Sequence, residues 1–129
     1  MPIRIEHLAL WTQDLKRSRD FYIKYFGARS NEKYHNPNKQ LETYFLRFEG
    51  GARLEIMKRP EVHDEAERAF QLGFTHVAFS LGSREAVDKL TRQLVADGYP
   101  KLDGPRTTGD GYYESQVMDP DGNLLELTV

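Results

Sequence analysis

Two short stretches, Ile5-Glu6-His7-Leu8-Ala9-Leu10-Trp11 and Phe74-Thr75-His76-Val77-Ala78-Phe79-Ser80, decide how this chain folds. Both are β-prone, and both carry a histidine two residues before an alanine. Seven residues after each histidine stands a good helix N-cap, Asp14 in the first case and Ser83 in the second. Leu15, Phe21, Tyr22, Tyr25 and Phe26 then recur at helical spacing up to Gly27, as Val87, Leu90, Leu94 and Val95 do up to Gly98. Strand, helix and stop occur twice, in step.

The repeat continues beyond the helices. Thr43 to Phe48 reads as a strand, Glu49-Gly50-Gly51 as a turn and Ala52 to Met57 as a second strand. In the other half Tyr112 to Met118 leads into the type I turn Asp119-Pro120-Asp121-Gly122 and then into Asn123 to Thr128. Residues 29–36 and 101–108 each supply one further outer strand. The expected fold is therefore α+β. Two pseudo-symmetric β-α-β-β-β modules, about 3–58 and 73–129, are joined by a connector over 59–72 that includes a short helix near 64–70. They build a single domain, 1–129, whose curved mixed sheet surrounds a cavity, with the helices outside.

Composition narrows the function classes. With 129 residues, 39% of them hydrophobic, the chain suits one compact core. Its 18 Lys and Arg are interspersed with 20 Asp and Glu, for a net charge of −2. No basic stripe is present to hold a phosphate backbone, so nucleic acid is not an expected partner. No apolar run approaches the roughly 20 residues of a bilayer span, and the N-terminus shows no secretory signal. The absence of cysteine excludes disulfides, thiol nucleophiles and Cys-held clusters or zinc, and makes the cytoplasm the expected location.

Splitting each strand by parity separates an apolar face from one that carries a single His or Glu. Leu8 and Leu10 lie opposite His7, Ala9 and Trp11, and Leu54 and Ile56 lie opposite Arg53, Glu55 and Met57. Val77 and Phe79 lie opposite His76, and Leu125 and Leu127 lie opposite Glu126. The intervals also match, since 48 residues separate His7 from Glu55 and 50 separate His76 from Glu126. A pseudo-twofold operation maps one His–Glu pair onto the other, which can place two imidazoles and two carboxylates around one point. Two nitrogens and two oxygens without thiolate suit one divalent ion such as Ni, Zn, Co, Mn or Fe, whereas calcium would want more oxygens and no histidine.

At these residues the chain resembles the vicinal oxygen chelate superfamily, which includes glyoxalase I, fosfomycin-resistance proteins, bleomycin-binding proteins, methylmalonyl-CoA epimerase and extradiol dioxygenases. The anchors are Ile5 to Ala9, Asp14 to Tyr22 running on to Phe26-Gly27, Arg53 to Ile56, Thr75 to Phe79, and Asp119 to Asn123 with Glu126. His7, Glu55, His76 and Glu126 together are similar to the glyoxalase I ligand set. That resemblance implies a lyase or isomerase converting a thiol hemithioacetal, usually of glutathione, through an enediolate. It also implies a homodimer. Two positions depart from the pattern: Trp11 stands where bacterial glyoxalase I has an arginine that holds glutathione, and Arg59 stands where it has an asparagine.

The chemistry expected is metal-assisted proton transfer on a small substrate with vicinal oxygens. Glu126, with Glu55 as the near-equivalent alternative, moves the proton between two carbons. Trp11, Arg53, Met57 and Arg59 are the candidates for substrate contact, and glutathione or another thiol is the candidate co-substrate. His35 and His63 read as solvated connector residues, and Thr107 to Tyr113 as either a lid or a hairpin connection. Two other readings share these residues: a metal-dependent epimerase or thiol transferase on the same scaffold, and a non-catalytic small-molecule binding protein.

Overall fold

The computed structural model describes residues 1–64, 68 and 70–129. Most of the connector helix expected near 64–70 lies outside the described residues. The chain divides into two compact units, Met1–Glu65 and Ala66–Val129.

In the first unit β1 (His7–Trp11) leads to α1 (Leu15–Phe26), and then come β2 (Arg29–Ser30), β3 (Tyr34–Asn36), β4 (Leu41–Arg47) and β5 (Arg53–Lys58). Asp14 caps α1 by accepting a hydrogen bond from the Arg17 backbone N–H at 3.0 Å. The helix stops at Gly27, whose φ of 66° is left-handed and whose N–H reaches the Ile23 carbonyl. Leu15, Ser18, Phe21 and Tyr22 form its buried stripe, packed on β4 and β5. There they meet Leu46, Leu54 and Ile56, each no more than 3% exposed. Burying an aliphatic side chain of this size contributes about 1.5–3 kcal/mol. The sheet runs β1-β5-β4-β2, parallel between β1 and β5 and antiparallel elsewhere, with β3 also on β4.

The second unit repeats this plan with β6 (His76–Ser80), α2 (Arg84–Ala96), β7 (Lys101–Thr107), β8 (Tyr113–Met118) and β9 (Leu124–Thr128), ordered β6-β9-β8-β7. Ser83 Oγ caps α2 by accepting from the Ala86 N–H at 3.1 Å. Val87, Thr91 and Leu94 face Val117, Leu125 and Leu127. A buried hydroxyl pair crosses each helix–strand junction: Thr12 with Ser18 at 2.7 Å in the first unit, and Thr91 with Ser115 at 2.7 Å in the second.

Two details differ from the sequence expectation. The single strand expected over 29–36 is two short ones. Asn31 turns its side-chain oxygen to accept from the Phe45 N–H at 2.8 Å, and the pairing with β4 resumes at Tyr34 with one extra residue, a bulge that splits the strand. His35 accordingly lies on β3 rather than in a connector, though it is exposed as expected. The segment 107–113 is a closed hairpin turn, with Thr108 N–H bonded to the Tyr112 carbonyl at 2.7 Å and Gly111 N–H to the Thr108 carbonyl at 3.0 Å.

Gly104 marks the irregular register of β7 against β8. Its φ is +77°, and a Cβ there would run into the Glu114 carbonyl oxygen on the neighbouring backbone. Both effects act in the same direction, so Gly104→Ala is expected to destabilise the protein by about 2–4 kcal/mol. Chemical denaturation of the two proteins measures it; an unchanged midpoint would remove this account of β7.

Candidate active site

The parallel pairing of β1 with β5 sets Ala9 beside Glu55 and His7 beside Arg53. His7 is therefore the diagonal neighbour of Glu55 on the face away from α1, and the small Ala9 leaves the carboxylate uncovered. The same register recurs in the second unit, where Ala78 lies beside Glu126 and His76 beside Leu124. The repeated His-x-Ala is thus a geometric device: it seats an imidazole diagonally across from a glutamate and keeps the space between them open. His7 Nε2 stands 3.9 Å from Glu55 Oε1, and His76 Nε2 stands 3.3 Å from Glu126 Oε1. The imidazoles are 42% and 36% exposed and the carboxylates 17% and 15%, so each pair can be reached from solvent.

In both units the other ring nitrogen already has a partner. His7 Nδ1 lies 2.9 Å from Glu6 Oε1, and His76 Nδ1 lies 2.9 Å from Thr75 Oγ1. Glu6 is itself gripped by Arg53, whose Nε donates at 2.9 Å and whose Nη2 donates at 2.5 Å. That hydrogen bonding, with His7 adding to it, holds the Glu6 carboxyl down at about 2 and raises Arg53 above its usual value. The Arg53 guanidinium stacks over Phe45, 4.1 Å from the ring centroid, and the His7 ring meets Phe45 edge-on at 5.3 Å.

The second unit surrounds its glutamate differently. Gln116, directly across from Glu126, donates from Nε2 to Glu126 Oε1 at 3.4 Å. Glu114 shares a hydrogen bond with Glu126, and this bond, followed by burial, pushes the Glu114 carboxyl up to about 7.

Each unit thus holds two of the four residues expected to bind a metal. Among the described residues, no group of three or more His, Asp or Glu side chains is gathered closely enough to hold an ion. Trp11, 47% exposed, lies beside Met57 on the same face as His7 and Arg53. Arg59 stands apart: its Nε donates to Glu61 at 3.0 Å, and it lines a separate cavity of about 440 Å³ with His35, Gln40, Glu42, Lys58 and Pro60. His63 is exposed, with Nδ1 3.1 Å from the Glu61 carbonyl. The sequence reading missed Glu6, Phe45, Glu114 and Gln116. Parity along β4 and β8 was the available signal, since Phe45 pairs with Glu55 and Gln116 with Glu126.

The profile of the Glyoxalase/Bleomycin resistance protein/Dioxygenase superfamily matches residues 4–127. The chain belongs to this superfamily. A relative, the uncharacterized protein YqjT of Bacillus subtilis (strain 168), is 30% identical over 131 residues, covering 95% of this chain and 96% of YqjT. Among solved structures, a possible glyoxalase from Bacillus cereus aligns at 29% identity with a TM-score of 0.74, covering 99% and 100% of the two chains. A glyoxalase family protein from Enterococcus faecalis aligns at 25% identity with a TM-score of 0.80, covering 98% and 97%. Two helices and two mixed sheets arranged as repeated modules are what this glyoxalase-superfamily membership entails. Among the described residues, no helix is long and apolar enough to cross a membrane.

Proposed function

We propose that the protein is a metal-dependent lyase or isomerase of the glyoxalase I type, acting on a small substrate with vicinal oxygens, and that His7, Glu55, His76 and Glu126 hold one divalent ion. The observation that supports this most is the duplicated pair itself. Two donors bound to one ion at roughly 2.0–2.2 Å each are separated by roughly 3–4 Å, and the two N···O distances are 3.9 and 3.3 Å. In each pair Nδ1 is occupied, which leaves Nε2 facing the carboxylate. An edge-charge role against aggregation would require neither this duplication nor the matching alanines.

A divalent ion at such a site supplies Lewis acidity to a substrate carbonyl and makes the neighbouring C–H more acidic. The chain supplies the rest. Glu126 is our choice of base over Glu55, because Gln116 and Glu114 provide it with hydrogen-bonding neighbours in the place where a proton has to be received and returned. Trp11 and Met57 provide apolar surface beside His7, and Arg53 provides a cation on the same face. Assay of hemithioacetals, 2-ketoacid thioesters and diols against the Ni²⁺, Co²⁺, Mn²⁺ and Zn²⁺ forms tests the reading. Turnover of one substrate class that falls by at least about 10²-fold in Glu126→Gln is expected; metal-independent turnover, or none with any of these substrates, would contradict it.

A homodimer belongs to the same proposal. Ile3 and Ile5 precede His7 by four and two residues, and Leu72 and Phe74 precede His76 by the same intervals. These four side chains are 83%, 67%, 105% and 96% exposed, and β1 and β6 are the end strands of their sheets. Exposed apolar side chains beside strand edges call for a covering surface, and a second copy is the partner we expect. Light scattering at micromolar concentration should give twice the chain mass of 15.0 kDa; a monomer would count against the pairing.

A further inference from the structure

The two histidines are backed by different chemistry. Thr75 presents a hydroxyl to His76 Nδ1, and a hydroxyl can donate or accept, so that contact is compatible with either tautomer of the ring. Glu6 presents a carboxylate, which only accepts, so His7 Nδ1 carries a hydrogen, and in the neutral ring Nε2 is then the nitrogen with the lone pair. The carboxylate is in turn fixed. Arg53 holds both of its oxygens, the Arg53 backbone N–H bonds to the Glu6 carbonyl at 2.9 Å, and the guanidinium sits over Phe45, whose ring also meets the imidazole in a T-shaped contact. Glu6, His7, Arg53 and Phe45 close a ring of contacts on the open face of the first sheet. At the matching places of the second unit stand Thr75, Leu124 and Gln116, so no such ring forms around His76.

We infer that Glu6, anchored by Arg53, is a positioning residue: it fixes the tautomer and plane of the His7 ring so that Nε2 is presented as a ready-made donor, and the first unit is the preorganised half of the site. The consequence for metal binding rests on the functional reading above. The consequence for the ring does not. Orienting a ligating histidine through a carboxylate typically contributes a factor of roughly 10–100 to metal affinity, and Thr75 should contribute less because it leaves the tautomer open.

The experiment uses full-length protein labelled with ¹⁵N-histidine, first without metal and then titrated with Co²⁺ alone. Glu6 is exposed, with 64% of its side-chain surface free, so Glu6→Ala should fold; circular dichroism checks this. In the metal-free parent, at a pH where the ring is neutral, His7 should carry its hydrogen on Nδ1. Glu6→Ala should lose that preference, and Glu6→Gln, whose amide oxygen still accepts, should restore it. Co²⁺ affinity should fall by roughly 10- to 100-fold in Glu6→Ala, largely recover in Glu6→Gln, and change less in Thr75→Val. An unchanged His7 tautomer in Glu6→Ala would overturn the inference, as would a Glu6→Gln variant no better than alanine. If the parent fails to bind Co²⁺ while the tautomer shifts as described, the metal reading falls and the positioning role of Glu6 stands.

Discussion

Replacing either His7 or His76 by alanine is expected to weaken Ni²⁺ or Co²⁺ binding by at least about 100-fold. Apparent free energies for four-ligand protein sites run at roughly 10–16 kcal/mol, so one ligand in four accounts for roughly 3 kcal/mol, or about 100-fold. The two substitutions should act alike although they fall in different units, because each removes one imidazole from the same set. A thermal shift provides the second readout. An ion present at 100 times its dissociation constant stabilises the native state by about 2.7 kcal/mol, and neither variant should show that gain. Isothermal titration and melting curves with and without metal measure both effects. Affinity and stabilisation equal to those of the parent in either variant would remove that histidine from the site.

The parts of the fold set by periodicity could be read from the sequence. Asp14 and Ser83 cap the two helices where the spacing places them, and Leu54, Ile56, Leu125 and Leu127 are buried on the parity opposite the histidines and glutamates. What escaped depends on contacts between strands that a single strand's pattern does not contain. Asn31 breaks the strand over 29–36 by using its side chain as a backbone substitute, and composition gives no sign of that. Glu6 looks like an ordinary exposed acid until register places Arg53 next to His7. Glu114 gains its raised carboxyl chiefly because β8 and β9 bring it to Glu126. The histidines and glutamates were legible because duplication marks them twice. Their surroundings were not, because the two units differ there.

Turnover of the glutathione hemithioacetal of methylglyoxal is expected to be weak or absent even in metal-loaded protein. The glyoxalase I resemblance requires a cation in place of Trp11 and an amide in place of Arg59 to hold the glutathione. Trp11 offers an exposed indole beside Met57, and Arg59 is turned to Glu61 at the rim of a separate cavity. A hydrogen bond involving a charged group contributes about 1.5–3 kcal/mol. Two lost contacts of this kind reduce catalytic efficiency by roughly 10²- to 10⁴-fold. We therefore expect kcat/KM below the ordinary enzyme range of about 10⁴–10⁸ M⁻¹s⁻¹, with faster turnover of a substrate that presents two adjacent oxygens without the tripeptide. A value inside that range for the glutathione adduct would show that the site holds glutathione without those contacts and would make the protein a glyoxalase I in the full sense.

The central claim is that two His–Glu pairs, one from each unit, form a single metal site. A Co²⁺ titration of the purified protein, followed by equilibrium dialysis and metal analysis, tests it most directly. The account predicts one ion per chain in the parent and none retained by a His7→Ala, Glu126→Gln double variant, which leaves one donor in each pair. Two ions per chain, each held by its own pair, or no ion at all, would contradict it.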